Sequence, residues 1–120
     1  MEQMKLGVVE EQFANIVWRN APLVTKDLVA LAEEELNWKR TTTYTVLKKL
    51  CLRGLFDMTG ARVKVLIDKD HYHAITSHQF VENNFEGSLP SFIAAFTSRK
   101  KLTKEDLSQI RQMIDSMEEG

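Results

Sequence analysis

A single cysteine, Cys51, is the only thiol in the chain. One thiol cannot close an internal disulfide, and it cannot supply the cysteine pair of a zinc site within one chain. A free thiol suits a reducing compartment, so a cytoplasmic location is expected. Between Leu50 and Leu52, Cys51 reads as a buried, inert thiol rather than a nucleophile. Long apolar runs are missing too. No stretch approaches the roughly 20 apolar residues of a membrane span, so no membrane insertion is expected. The opening MEQMKLGVVEE is too acidic, and its apolar run too short, for a signal peptide. Catalytic signatures are equally scarce: there is no Gly-rich phosphate loop, no GxSxG and no HExxH. The acids fall on solvated helix faces without a convergent pair, so neither an enzyme nor a cofactor is expected. His71, His73 and His78 form the only metal-like cluster. Histidines at i and i+2 do not share a helix face, and no Cys or Glu completes the set, so no metal site is expected. Tyr72 reads instead as packing where two regions meet.

What remains is an ordinary globular composition, 43% apolar, in 120 residues. That fits one domain, or one small domain with an accessory helical region. The net charge of −1 argues against a uniformly basic nucleic-acid binder. Its distribution argues differently. Between Trp38 and Lys64 stand Lys39, Arg40, Lys48, Lys49, Arg53, Arg62 and Lys64, against the single acid Asp57, a local charge of +6. Such asymmetry marks either a solvated basic face or a surface that meets a polyanion.

Residues 10–18, EEQFANIVW, are dense enough in apolar side chains for a buried helix face. Asn20-Ala21-Pro22 stops that helix, because proline keeps its predecessor out of the α region. Thr25 offers an N-cap to a second helix, with Leu28, Leu31, Ala32 and Leu36 on one face and Asn37 at its end. A third helix follows, at about 41–53. Thr43, Val46, Leu47 and Leu50 share its inner face. Thr41, Thr42, Tyr44, Thr45, Lys48 and Lys49 share the outer one, and Arg53-Gly54 closes it. Val63, Val65 and Ile67 alternate with polar neighbours, Leu55–Met58 makes a partner strand, and Thr59-Gly60-Ala61 is the turn, with Arg62 at its tip. The fold class expected is mainly α with a small β-hairpin. A winged helix-turn-helix domain over 6–72 precedes a helical dimerisation region over 73–120.

The second region opens with a helix from Ala74 to Phe85. Pro90 suits the first turn of a short helix around SFIAAF, and Thr103-Lys104-Glu105-Asp106 is a helix-start signature. Leu107, Ile110, Ile114 and Met117 then repeat at spacings of 3, 4 and 3 as a narrow seam. Three short helices cannot bury that much apolar surface alone. They either fold back on the first domain or pair with a second copy, and a symmetric homodimer is the simpler solution. Its interface is expected to use Phe85, Leu89, Phe92, Ile93, Phe96, Leu107, Ile110, Ile114 and Met117.

Four threonines opening a helix, at 41, 42, 43 and 45, need a reason, since threonine is a poor interior helix former. One reading makes them caps and surface residues, with Thr41 the cap. The other makes this the recognition helix for double-stranded DNA, where small hydroxyl residues let the backbone approach base edges. On that reading Thr41, Thr42, Tyr44 and Thr45 face the groove, Lys39, Arg40, Lys48 and Lys49 meet phosphates, and Arg62 reaches from the wing. The hairpin favours the second reading. A protein-interaction module without operator binding stands as the alternative.

The pieces EEQFANIVW, DLVALAEE and WKRTTTYTVLKKLCLRGL, with FEGSLPSFIAAF and LTKEDLSQIRQMI after them, resemble the penicillinase-repressor family of bacterial transcriptional regulators from Leu6 to Met117. The third piece is similar to the family's W-x-x-x-T-[VI]-x-T-L-[LI]-x-R-L-x-x-K-G. Trp38, Thr42, Thr45, Leu47, Leu50 and Gly54 match, Lys49 replaces an arginine and Thr43 replaces an aliphatic residue. The resemblance implies a homodimer that binds a palindromic operator and blocks transcription of a β-lactam-type resistance operon. In the family a sensor protease relieves repression by way of an Asn-Phe bond in the helix before the dimer region; Gln79-Phe80 stands at that place here, which leaves release by proteolysis or by another route open. The copper-responsive branch carries a C-terminal Cys-x-Cys pair, which this chain lacks.

Overall fold

Phe13, Ala14, Ile16 and Val17 line the buried face of the first helix, α1 (Val8–Asn20). The computed structural model describes residues 4–120; Met1, Glu2 and Gln3, which open the stretch MEQMKLGVVEE, lie outside them. After α1 come β1 (Leu23–Val24), α2 (Thr25–Leu36), α3 (Arg40–Leu52), β2 (Phe56–Thr59) and β3 (Arg62–Val65). Three further helices follow, α4 (Lys69–Phe85), α5 (Leu89–Arg99) and α6 (Lys104–Glu119). The chain forms two compact units, Met1–Gln79 and Phe80–Gly120. They divide inside α4, whereas the sequence placed a division at 72/73.

The first unit is a winged helix-turn-helix. Its core joins Phe13, Ile16 and Val17 of α1 to Leu28 and Ala32 of α2, Leu47 and Leu50 of α3, and Phe56 and Val63 of the hairpin. Full burial of each large apolar side chain contributes about 1.5–3 kcal/mol. Aromatic rings set the angles between elements. Trp38, in the turn between α2 and α3, stacks on Phe13 with ring centroids 5.2 Å apart. Trp18 meets Phe56 and Tyr72, and its indole N–H donates to the Ile67 carbonyl at 3.0 Å.

The turns follow from local chemistry. Asn37 takes the left-handed conformation at φ 57° and donates its N–H to the Ala32 and Glu33 carbonyls, which ends α2. At the end of α3 the Gly54 N–H donates to the Cys51 carbonyl and the Leu55 N–H to the Leu50 carbonyl. This is a Schellman closure, with Gly54 at φ 86° and the buried pair Leu50 and Leu55 as its apolar contact.

Four local readings need correction. The hairpin is part of a three-stranded antiparallel sheet of order β1-β3-β2, with Leu23 opposite Val63 and Val24 opposite Arg62. A two-residue strand shows no periodicity and exists only because β3 lies beside it. Thr25 is not a cap. Val24 occupies that position in extended backbone, and Thr25 is the buried first residue of α2. Thr41 is not a cap either, because Lys39 holds that place and Thr41 is the second helical residue of α3. Finally, α4 starts five residues before Ala74, because the Asp68 carboxylate accepts the His71 N–H at 2.8 Å in the manner of an N-cap.

In the second unit the Ser88 hydroxyl accepts the Ser91 N–H, with Pro90 in the first turn of α5. Thr103 and Asp106 form the reciprocal capping box of α6. Phe92 stands at the centre of an aromatic cluster, 6.1 Å from Phe80, 5.6 Å from Phe85 and 6.2 Å from Phe96.

Candidate nucleic-acid interface

The inner stripe of α3 is Thr43, Leu47 and Leu50, all buried, and it fixes what faces outward. At about 100° per residue, Thr41, Thr45, Lys48 and Leu52 fall opposite that stripe. All four are exposed, as are Thr42 and Lys49 on one flank. Tyr44 lies on the other flank and is half-buried. The outer face is therefore three hydroxyls wide at its start and cationic further along.

Hydroxyl geometry separates the threonines. The Thr43 hydroxyl turns back to the Lys39 carbonyl at 3.3 Å, and only 1% of the residue is exposed. An inward threonine is thus accommodated by a local bond to its own helix, which lets its methyl group face the core. The Thr45 hydroxyl donates to the Thr41 carbonyl at 2.9 Å while the residue stays exposed. Its proton is committed to the backbone, so outward it offers a methyl group and oxygen lone pairs.

Arg40 and Tyr44 come together with residues the sequence did not nominate. The Arg40 guanidinium lies 5.5 Å from the centre of the Tyr44 ring. Both line a cleft of about 420 Å³ with Thr25, Lys26, Val29 and Ala61. A hydrogen bond from Thr25, together with the Arg40 charge, holds the Tyr44 phenol below its ordinary value. The Thr25 N–H donates to the Ala61 carbonyl at 2.7 Å, which ties the turn of the hairpin to the start of α2. The starts of α2 and α3 and the hairpin turn thus share one cleft, with Lys26 and Arg40 as its cations. Lys26 escaped the sequence reading because it precedes the basic segment, although its place in the first turn of α2 could have nominated it.

Lys49 and Arg62 stand apart from that cleft. The Lys49 ammonium is 2.6 Å from the Glu10 carboxylate of α1, with 59% of its side chain exposed. Arg62 is exposed on the hairpin beside a different depression, formed with Asn20, Pro22, Asp27 and Leu31. Leu52 is 81% exposed at the far end of the α3 face and was not nominated either. Cys51 is half-buried on α3, and burial, reinforced by the Asp57 charge, pushes its thiol up. Among the described residues no group of three His, Cys, Asp or Glu side chains is placed to hold a metal ion.

The residues expected at the dimer interface divide by exposure. Phe85, Phe92 and Ile110 are half-buried, whereas Leu89, Ile93, Phe96, Leu107, Ile114 and Met117 are exposed. Phe80 and Met113 are exposed apolar residues of the same unit that the sequence reading left out. Neither α5 nor α6 has a buried residue.

Comparison with known sequences adds a family. The family described as penicillinase repressor matches residues 6–116. The penicillinase repressor of Bacillus licheniformis is 23% identical over 115 residues, which covers 92% of this chain and 90% of that protein. No helix among the described residues is long and apolar enough to cross a membrane.

Proposed function

The chain belongs to the penicillinase repressor family, and on that premise we propose that it is a homodimeric transcriptional repressor binding a palindromic operator. Members of this family are regulators rather than enzymes. One observation carries the reading: α3 presents an outward face of threonines among cations, no part of which the core uses. Such a face fits the major groove, where the first turns of a recognition helix meet base edges. Thr41, Thr42 and Thr45 take those positions. Thr45, whose proton is spent on Thr41, reads a thymine methyl group or accepts from an adenine or cytosine amino group. Lys39, Arg40, Lys48 and Lys49 meet phosphates, with Tyr44 beside Arg40 and Arg62 on the wing. Lys49 exchanges Glu10 for a phosphate at small cost, because its side chain is solvent-accessible and a surface ion pair contributes only about 0–1 kcal/mol.

The second unit supports dimerisation. Most of a helix's stability in a protein comes from packing its apolar face, and α6 has no buried residue in the single chain. A second copy laid along Leu107, Ile110, Ile114 and Met117, with Phe85, Leu89, Phe92, Ile93 and Phe96 of the preceding helices, removes that surface from water. Two copies related by a twofold axis match a palindrome. The protein acts in the cytoplasm on a β-lactam-type resistance operon, with a sensor protease as the partner that relieves repression.

The test is a gel-shift salt series on palindromic promoter fragments and on random duplex. Affinity should fall linearly in log–log form, with a slope of about −0.9 per phosphate contact, and the palindrome should be preferred. Binding that depends on neither salt nor sequence would leave the winged helix as a protein-interaction module.

A further inference from the structure

Arg40 and Tyr44 stand about one turn apart on one flank of α3, and Lys49 stands on the opposite flank. On the Arg40 side the surface recedes into the cleft of about 420 Å³, which Thr25, Lys26 and Val29 of α2 and Ala61 of the hairpin turn complete. Two of its lining residues are cations, and among the described residues that line it none is an acid. Asp27, the acid in the first turn of α2, lines the depression beside Arg62 instead.

Tyr44 is fixed within this cleft. The residue is half-buried, with the Arg40 guanidinium 5.5 Å from its ring centre. Its phenol oxygen accepts from Thr25 and, less strongly, from Arg40. An oxygen that accepts these bonds keeps its own proton to donate. Thr25 is itself buried, and its N–H donates to the Ala61 carbonyl at 2.7 Å. The phenol is thereby tied to the hairpin turn as well as to α2. The cleft offers an anion two positive charges and one neutral O–H donor, with no carboxylate on its walls.

A major groove about 12 Å wide admits a helix about 10–12 Å across with little room to spare. With Thr41 and Thr45 toward the base edges, the two flanks of α3 meet the two phosphate walls. Lys49 faces one wall and the cleft faces the other. We propose that the cleft grips one phosphate of the duplex backbone, with Lys26, Arg40 and the Tyr44 O–H as its donors and Thr25 as the positioning residue of the phenol. The proposal rests on the operator-binding reading given above. Tyr44 then reads no base; it helps set the register in which Thr41 and Thr45 meet theirs, as phosphate contacts do. The chemistry recognised is a phosphate anion, which a free phosphate shares, and the place of the cleft beside the groove-facing residues favours the backbone.

The test uses the full chain with Lys26→Gln and Tyr44→Phe. Lys26 is exposed, and phenylalanine keeps the ring beside Arg40, so both variants preserve the core. Gel-shift salt series compare a duplex selected by the wild type from a random pool with random duplex. Lys26→Gln should weaken binding to both alike and lower the salt slope by about 1. Tyr44→Phe should weaken both by about tenfold, the loss of a hydrogen bond to a charged group. Its slope should not change, because no charge has been removed. The selected duplex is then made with one phosphate at a time replaced by an uncharged methylphosphonate. At one and the same phosphate of the half-site both variants should lose their penalty, because the wild type has lost the partner too; elsewhere the penalties should persist. Penalties that persist at every phosphate, or vanish at different ones for the two variants, overturn the proposal alone. So does a Tyr44→Phe effect confined to one base pair, which returns Tyr44 to base reading. Inorganic phosphate, titrated without DNA, should leave the Lys26 and Tyr44 amide resonances in place at concentrations where the duplex moves them. Saturation by inorganic phosphate at those concentrations assigns the cleft to a free anion and overturns the backbone contact. A wild type that neither enriches a sequence nor shows salt dependence overturns the operator reading and this proposal with it.

Discussion

Replacing Thr43 with valine should leave the winged-helix unit as stable as before or stabilise it, by about 0 to 1 kcal/mol. The residue is 1% exposed, and its hydroxyl donates to the Lys39 carbonyl at 3.3 Å. A net hydrogen bond contributes about 0.5–1.5 kcal/mol, and the length of this one puts it at the low end. The acceptor is not orphaned by the change, because the Thr43 N–H already donates to the same carbonyl at 3.1 Å. Valine adds a buried methyl group, which contributes about 0.8 kcal/mol. Gain and loss nearly cancel, with the balance toward valine. Trp18 and Trp38 both lie in the first unit, so their fluorescence during urea unfolding reports on it. With a slope of about 1 kcal/mol per molar urea, the midpoint should move upward by about 0–1 M. A midpoint lower by more than about 0.5 M at unchanged slope would show that the hydroxyl makes a stronger bond than its geometry implies, and the reasoning would fail. Operator selection should be untouched, since a side chain turned inward cannot reach a base.

Thr45→Ala should relax specificity at one base position by about 1–3 kcal/mol, whereas Lys48→Ala should weaken binding to all sequences and lower the salt slope by about 1. Equal effects of both variants on cognate and random duplex would refute the division of roles. Ile110→Asp and Ile114→Asp should give monomer mass in light scattering, and a dimer surviving both would remove the seam. Hydrogen bonding to Lys49, then to the Gly7 N–H, holds the Glu10 carboxyl below its ordinary value of 4.5. Because the folded value is depressed, the pair stabilises fully above pH 4.5 and its contribution is lost as pH falls through the folded value. Glu10→Gln should therefore cost about 0.2–1 kcal/mol at pH 7, the range for a surface pair, and nothing once Glu10 is protonated. Equal cost at both ends of an acid unfolding series would contradict this.

Much of the fold was legible because several signals were local. Gly54 closes α3 with the left-handed backbone that a Schellman closure needs, and Thr103 with Asp106 is a capping box readable from four residues. What escaped depends on distant contacts. Val24 is held extended by its pairing with Arg62, so α2 begins one residue after it and Thr25 loses the capping role. Trp38 is held on Phe13, and Lys39 alone makes the transition into α3, which places Thr41 inside the helix. The segment before α1 is the clearest case. Nothing in Met4–Gly7 has a period, and its hydrogen bonds, from Leu6 to Tyr72 and from Met4 to Gln79, reach 66 and 75 residues along the chain.

The candidate site was legible for a related reason. Four threonines cannot be sorted by composition, but they can by rotation. Once Leu47 and Leu50 face inward, successive steps of about 100° send Thr43 to the core, Thr41 and Thr45 to the centre of the outer face, and Thr42 to its flank. A register shift of one residue would bury a hydroxyl from the outer face and expose Leu47. The inner stripe therefore specifies the outer one, and the back-bonded hydroxyls of Thr43 and Thr45 supply what the wheel cannot. Two side chains of the same type make the same bond to the residue four positions back. One thereby hides its polar group from the core. The other keeps its methyl group and lone pairs turned to solvent, where a base edge would have to meet them.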